Sequence, residues 1–298
     1  MNARRVICFF EERRSKGEAL VMATVINTGG STYSKAGEQM LIDSDGNFCG
    51  MLSGGCLEGD LVERSRSVME TGTAQTVTYD LSSDDELWGL GVGCEGTMHI
   101  LLQALSLENS YEPFTAVVKA LDGHVPRTIE IHADDVTYSV VVLPSPSLLI
   151  MGAGLDAEPV VKIATELGWR YSVVDHRPAY ISSRSFGDGV VATCVPADDL
   201  SSRLDLSIFD LALVMSHHLV SDRSYLRQLA STDIGYVGLL GPPKRRDRLL
   251  GELGDLSKKL QGRIHAPAGI QLGGRGPGPI AVEIIAEMQM FLAEHQGL

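Results

Sequence analysis

One cysteine in the first third of the chain has a setting that suits chemistry. Cys56 belongs to a run of small residues that leads into a segment with helical spacing, Ser53-Gly54-Gly55-Cys56-Leu57-Glu58. The start of a helix carries partial positive charge, which favours the thiolate, the form of cysteine that attacks electrophiles and binds metals. Glu58 would then cap the helix or accept a proton. A tight structural turn explains the same pattern, so both interpretations stay open.

A second cysteine has a similar glycine frame. It lies between a predicted loop and a predicted strand, in Gly91-Val92-Gly93-Cys94-Glu95-Gly96. Thiolates are preferred ligands of soft metals. If the fold brings Cys94 next to Cys56, the two thiols would form one soft metal or sulfur centre.

A glycine-rich turn in the second half is typical of dinucleotide-binding proteins. Gly152, Gly154 and Ala157 lie between an apolar run and a segment with helical spacing, and Asp175 ends the next apolar run. The glycines allow a pyrophosphate to approach, the helix start supplies free N–H groups, and the acid suits a ribose hydroxyl. We predict a nucleotide-binding turn, with NAD(P) as a candidate ligand. The alternative is an α/β domain whose crevice is empty or binds something else.

Two further polar groups follow predicted strands. The segment Thr28–Thr32, with Lys35 beyond it, offers donors and a charge for an anion, or it forms a flexible hairpin. His217 closes an apolar run at the point where open α/β sheets bind ligands. A pair of His217 with Asp222 would tune a proton donor there. Capping of the next helix is a sufficient alternative for Asp222.

The composition excludes several classes of protein. The 298 residues contain 25 Lys and Arg against 38 Asp and Glu, a net charge of −13, so the basic excess that nucleic acid or an anionic membrane requires is missing. The five cysteines form no Cys-x-x-Cys pair and fit neither a disulfide framework nor a zinc ribbon. No apolar stretch reaches the roughly 18–20 residues of a membrane helix. The early apolar run Val6–Phe10 is too short for a signal peptide, so we expect a cytoplasmic protein.

Two domains must position these residues. In the second half, short apolar runs alternate with helical segments, which predicts an α/β fold: a C-terminal, Rossmann-like, doubly wound parallel sheet. The first half has strand-like segments and glycine-dense loops, which predict a smaller α+β N-terminal domain. We place the break at Pro144-Ser145-Pro146, with domains over 1–105 and 147–298 and small strands or a linker over 106–146.

The strands and helices of each predicted domain follow from hydrophobic spacing. In the second domain the expected strands are Leu148–Met151, Tyr171–Val174, Val190–Thr193, Leu211–Met215 and Tyr236–Leu240, and the expected helices are Leu155–Leu167, Asp222–Ala230 and Lys244–Leu253. In the first domain the expected strands are Leu20–Asn27, Gln39–Asp43, Thr76–Asp80 and Met98–Leu105, and the expected helix is Asp60–Glu70.

At these residues the chain resembles the xanthine dehydrogenase accessory protein family, XdhC/CoxI. The resemblance covers nearly the whole chain, with the motifs in the same order, and the Ser-Gly-Gly-Cys-Leu-Glu run is its most specific part. The other matching motifs are Gly30-Ser31 before Gly37-x-x-Met40, the Cys94 turn, Gly152-Ala153-Gly154, Val174-Asp175-His176-Arg177-Pro178, His217, Gly238-Leu239-Leu240-Gly241 and Pro267-x-Gly269. The chain departs from the family at Cys94-Glu95-Gly96, where Cys-Gly-Gly is common.

This resemblance implies a chaperone for the molybdenum cofactor, a molybdopterin. Such a protein would bind the cofactor, support its sulfuration and insert it into xanthine dehydrogenase or a related molybdenum hydroxylase. Its partners would be the apo-enzyme and a cysteine desulfurase, and we expect a homodimer. Cys56 and Glu58 would be the chemical centre, with Cys56 facing the molybdenum and Ser53, Gly54, Gly55 and Cys94 lining the cofactor. The turn Gly152–Ala157 would hold a nucleotide or the pterin phosphate.

Two other functions fit parts of the pattern. An NAD(P)-dependent oxidoreductase acting on a small molecule would use His217 as its acid or base, and Asp175 would favour NAD over NADP. A scaffold that presents the acceptor enzyme to another factor would need neither ligand. We expect an accessory protein rather than a catalyst.

Overall fold

A computed structural model describes residues 2–81, 96–133, 136–182, 186 and 191–296. The contacts divide the chain into two compact units, Met1–Ser145 and Pro146–Leu298. None of the helices within these described ranges is long and apolar enough to cross a membrane.

The first unit is built on a five-stranded antiparallel sheet. Its order is β3-β2-β1-β5-β4, and its strands are β1 (Leu20–Gly30), β2 (Gln39–Asp43), β3 (Phe48–Cys49), β4 (Gln75–Asp80) and β5 (Gly96–Leu105). The central strand β1 is buried on both faces over its first half. Alternate side chains therefore enter two separate cores, as the twofold periodicity of a strand requires.

Helices cover both faces of this sheet. The additional elements are α1 (Ala3–Ser15), α2 (Glu58–Thr71), α3 (Phe114–Leu121) and the antiparallel hairpin of β6 (Arg127–Ala133) and β7 (Val136–Val142). Helices α1 and α3 pack with the hairpin on one face, and α2 packs on the other. The segment 106–146 therefore contains a helix and a hairpin whose buried residues join the core of the first unit.

The second unit contains a six-stranded parallel sheet, which confirms the predicted doubly wound fold. Its order is β10-β9-β8-β11-β12-β13, and its strands are β8 (Ser147–Met151), β9 (Arg170–Asp175), β10 (Val191–Cys194), β11 (Leu211–Val214), β12 (Tyr236–Leu239) and β13 (Ile264–His265). Numbered from β8, this is the 3-2-1-4-5-6 order of dinucleotide-binding sheets.

The helices of the second unit lie on both faces of the sheet. They are α4 (Ala157–Glu166), α5 (Pro178–Ser182), α6 (Leu200–Arg203), α7 (Leu219–Leu229), α8 (Pro243–Leu253) and α9 (Pro277–Gln296). Helices α4 and α9 cover one face, while α7 and α8 cover the other. The strand order reverses between β8 and β11, so a crevice opens at the carboxyl ends of these two strands.

Candidate functional site

Glu58, the first residue of α2, holds the loop that precedes it. Its Oε1 accepts hydrogen bonds from the backbone N–H groups of Leu52 and Ser53, both at 2.8 Å. Its Oε2 accepts the Ser53 hydroxyl at 2.5 Å and the N–H of Gly55 at 3.0 Å. We call residues 52–57 the cysteine loop. One buried carboxylate thus connects the start and the middle of this loop.

These hydrogen bonds decide the charge of Glu58. Burial raises its pKa, but the hydrogen bonds from Ser53 and Leu52 outweigh burial and place the pKa below its ordinary value. The carboxylate is therefore ionised at neutral pH, with both oxygens engaged. This arrangement suits a positioning role for Glu58 better than proton transfer to a substrate.

Cys56 lies on the cysteine loop two residues before α2 begins, and it is half-buried. Gly54 and Gly55 precede it with φ angles of +76° and +110°, in the left-handed region that side chains disfavour. A Cβ on Gly54 would lie 3.5 Å from the ring of Tyr33, which is 60% exposed. The loop is therefore folded tightly by its glycines, and a side chain at position 54 would meet an exposed aromatic ring.

The Thr28–Thr32 segment is largely strand rather than a flexible hairpin, because β1 continues to Gly30. A Cβ on Gly96 of β5 would lie 2.5 Å from the carbonyl oxygen of Gly29, so the two strands require glycine at this point. Lys35 is exposed beyond this segment. Cys94 lies outside the described residues, so its convergence with Cys56 stays a prediction.

In the described part of the chain, no cluster of three or more His, Cys, Asp or Glu side chains could hold a metal ion. A metal at Cys56 would therefore need ligands from elsewhere, such as those of a cofactor that already carries it.

The glycine turn of the second unit leads from β8 to α4 and packs against the end of β11. Gly152 has a φ of +130°, and a Cβ there would lie 2.5 Å from the carbonyl oxygen of Met215. Ala153 donates its N–H to Asp175 Oδ2 at 2.8 Å. Gly154 lies against the carboxylate of Asp156, the residue before α4. The N-terminal end of α4, where a phosphate would bind, thus already faces an acidic side chain.

Asp175 is fully buried, and its carboxylate is occupied. Besides Ala153, it accepts the N–H of Arg177 at 2.9 Å and two guanidinium hydrogen bonds from Arg177, at 2.9 and 2.8 Å. Burial raises the pKa of Asp175, but the Arg177 hydrogen bonds outweigh burial and lower it. The prediction placed a ribose hydroxyl on this carboxylate, whereas four hydrogen bonds already engage both of its oxygens.

His217 pairs with a different aspartate from the one that the sequence suggested. Its Nε2 lies 2.5 Å from Asp156 Oδ2, whereas Asp222 is buried and accepts the Ser216 hydroxyl at 2.5 Å and Arg245 Nη2 at 2.6 Å. The predicted His217–Asp222 pair is therefore wrong, because Asp222 faces α8 instead. The hydrogen bond to Asp156 raises the pKa of His217. His217 also adopts a left-handed φ of +59°.

The sequence interpretation assigned no role to several polar residues of this crevice. The rings of His176 and His218 lie 5.3 Å apart, and burial lowers the pKa of His176. Tyr225 is fully buried, and its hydroxyl has no hydrogen-bond partner among the described residues. His176 directly follows β9, and His218 comes shortly after β11. Their positions after the ends of two parallel strands are the sequence signal that could have identified both histidines as site residues.

A doubly wound parallel sheet with a glycine turn, and an antiparallel α+β unit with a cysteine loop, define a two-unit protein of the Rossmann class. Residues 148–288 match the XdhC Rossmann domain, and residues 13–80 match the XdhC and CoxI family. The chain belongs to the XdhC and CoxI family.

Two relatives and one solved structure match over most of their length. The chain is 30% identical to a probable xanthine dehydrogenase subunit of Bacillus subtilis (strain 168), over 91% of this chain and 92% of the relative. It is 24% identical to the "Molybdenum cofactor insertion chaperone PaoD" of Escherichia coli (strain K12), over 96% and 87%. A crystal structure of a xanthine dehydrogenase from Bacillus halodurans superposes with a TM-score of 0.79 at 28% identity, over 99% and 97%.

Proposed function

We propose that this protein is a chaperone that binds the molybdenum cofactor as cargo and inserts it into a xanthine dehydrogenase-type hydroxylase. The similarity to an insertion chaperone and to a probable xanthine dehydrogenase subunit supports this function. In the same proposal the protein assists sulfuration of the cofactor together with a cysteine desulfurase, and it acts in the cytoplasm as a homodimer. It is an accessory protein rather than a catalyst.

The observation that carries this proposal is the ordered cysteine loop. Glu58 fixes the loop through four hydrogen bonds, and the half-buried thiol of Cys56 lies close to the N-terminal end of α2. In our proposal the Cys56 thiolate binds the molybdenum end of the cargo. In the same proposal the backbone of Ser53, Gly54 and Gly55 contacts the cargo, and Cys94, which lies outside the described residues, is a further candidate contact.

The glycine turn of the second unit has a separate role in this proposal. Backbone N–H groups between Gly152 and Ala157 bind the phosphate of a nucleotide or of the pterin, and a protonated His217 balances the charge of Asp156 beside it. Asp175 holds the turn through Ala153.

The alternative of an NAD(P)-dependent oxidoreductase has less support. The strand order favours dinucleotide binding, but the carboxylate that would bind the ribose is occupied by Arg177. Titration with NADH provides the test. Tight binding, with turnover of a small substrate that is lost in His217→Ala, would favour the oxidoreductase.

Cofactor titration of the purified protein tests the role of Cys56. Replacing Cys56 by Ala removes the sulfur ligand, so we expect affinity for the molybdenum cofactor to fall by about tenfold or more, equivalent to about 1.4 kcal/mol. Cys8→Ala is the matched control, because Cys8 is an exposed thiol on α1 of the same unit. Equal binding by both variants and the wild type would remove Cys56 from the proposed mechanism.

A further inference from the structure

One exposed aromatic ring lies beside the cysteine loop. The side chain of Tyr33 is 60% exposed, and a Cβ on Gly54 would lie 3.5 Å from two of its ring carbons. This is an ordinary van der Waals distance, and glycine places no side chain between the ring and the loop backbone. Tyr33 therefore offers an aromatic surface directly next to the proposed cargo site.

Hydrogen bonds hold the backbone on both sides of this ring. Thr32 donates its hydroxyl to the carbonyl oxygen of Ser34 at 2.8 Å. Ser34 is buried and donates its own hydroxyl to the carbonyl oxygen of Met51 at 3.5 Å. Met51 directly precedes the cysteine loop, so the segment that carries Tyr33 is connected to the loop. A ring that is already in place loses little conformational entropy when a ligand binds.

The surface beside the ring suits a small flat ligand better than a protein. A Cβ on Gly55 would meet no described atom within 4 Å, so the loop is open at this position. Met51 adds a second exposed apolar side chain, 50% accessible. Two such side chains cover far less than the roughly 800 Å² that each partner contributes to a stable protein interface. A single heteroaromatic ring, in contrast, needs only one aromatic side chain on which to stack.

The chain itself keeps this surface close to Cys56. Gly54 is two residues from Cys56, so their Cα atoms are at most about 7 Å apart. In a molybdopterin, the dithiolene group that binds molybdenum is attached to the pterin ring system. A metal bound at Cys56 would therefore bring the pterin ring to the same loop, where Tyr33 lies.

We propose that Tyr33 stacks on the pterin ring of the cargo while Cys56 binds its molybdenum. Stacking uses the π face of the heteroaromatic ring, so its contribution to affinity does not depend on the metal. The first unit thus recognises two separate features of one cargo, the ring and the metal. This inference rests on the proposed binding of the molybdenum cofactor.

Titration of the full-length protein with two forms of the cargo separates the ring from the metal. Tyr33→Leu keeps an apolar side chain and removes the π face, so it should lower affinity about tenfold for the molybdenum cofactor and for metal-free molybdopterin alike. Cys56→Ala should lower affinity for the metal-bearing form alone. Tyr33→Phe, the matched control, keeps the ring and should bind both forms as the wild type does. Because Tyr33 is exposed, both of its variants should unfold at the wild-type temperature.

Four results would overturn the stacking role and leave cofactor binding standing. They are wild-type affinity of Tyr33→Leu for metal-free molybdopterin, an equal loss of affinity in Tyr33→Phe, and binding of the metal-bearing form alone by the wild type. The fourth is a Tyr33→Leu variant that weakens only the complex with the apo-hydroxylase, because the ring would then contact a protein. A wild-type protein that binds neither form of the cargo would overturn the proposed function as well.

Discussion

Each unit contains a glycine turn before a helix with a carboxylate close to the helix start, yet the two carboxylates are used differently. The carboxylate of Glu58 points back into the cysteine loop and accepts four hydrogen bonds there. Asp156 makes no side-chain cap to α4 and instead reaches His217, which follows β11. In the first unit the acid builds the turn, and in the second it is free to form a titratable pair.

In the second unit Asp156 is not needed to hold the glycine turn, because Asp175 does so. Asp175 holds the glycine turn through the N–H of Ala153, and Arg177 neutralises it. Asp175 is thus the counterpart of Glu58. The position of an acid relative to a glycine turn does not reveal which of these roles it serves. The number of hydrogen-bond donors around the carboxylate oxygens reveals the role.

The largest effect should come from breaking the support of the second turn. Arg177→Ala would leave the buried charge of Asp175 without its cation, which should lower the free energy of unfolding by about 3 kcal/mol. Urea denaturation measures this change. Arg203→Ala, which removes an exposed arginine of the same unit, should have little effect. Equal stability of the two variants would mean that the buried charge of Asp175 does not need Arg177.

Removing the acid of the first turn should have a somewhat smaller effect. Glu58→Ala would strand three loop N–H groups and lower the free energy of unfolding by about 2 kcal/mol. Because the folded pKa of Glu58 is lowered, its contribution is present above the ordinary carboxyl pKa and is lost as pH falls through the folded value. The difference in stability between wild type and Glu58→Gln should therefore shrink in acid. A difference that is constant with pH would show that the charge is irrelevant.

The smallest effect should be on proton binding in the second unit. The hydrogen bond from Asp156 raises the pKa of His217, so Asp156→Asn should lower it, as followed by NMR titration of the imidazole signals. The stability from this pair is present below the ordinary histidine pKa and is lost as pH rises through the folded value. The effect is small because the His217 side chain is 58% exposed. An unchanged pKa of His217 in Asp156→Asn would show that Asp156 does not determine the protonation of the imidazole.

Much of the fold of the second unit could be predicted because buried parallel strands are short and apolar throughout. The runs Leu148–Met151 and Tyr236–Leu240 differ from β8 and β12 by one residue at one end. The irregular parts of the first unit were harder to predict from the sequence. The hairpin of β6 and β7 has weak alternation, because Val136 and Val141 are exposed. Its two strands therefore resembled a linker.

The candidate site could be predicted only as far as backbone geometry decides it. The glycines at 54, 55 and 152 adopt the positive φ angles that the turns require. The partners of Asp156, Asp175 and His217 depend instead on side chains from distant elements. Sequence spacing pairs His217 with Asp222, five positions away, whereas its actual partner Asp156 lies 61 positions away. Local patterns carry no information about such a contact.

The tight approach at Gly152 has a mechanical consequence. A Cβ at this position would collide with the carbonyl of Met215, so the ends of β8 and β11 leave no space for a side chain there. We expect a displacement of the turn after β8 to move Met215, which directly follows β11 and lies two residues before His217. A ligand that displaces the glycine turn would then also shift the imidazole of His217.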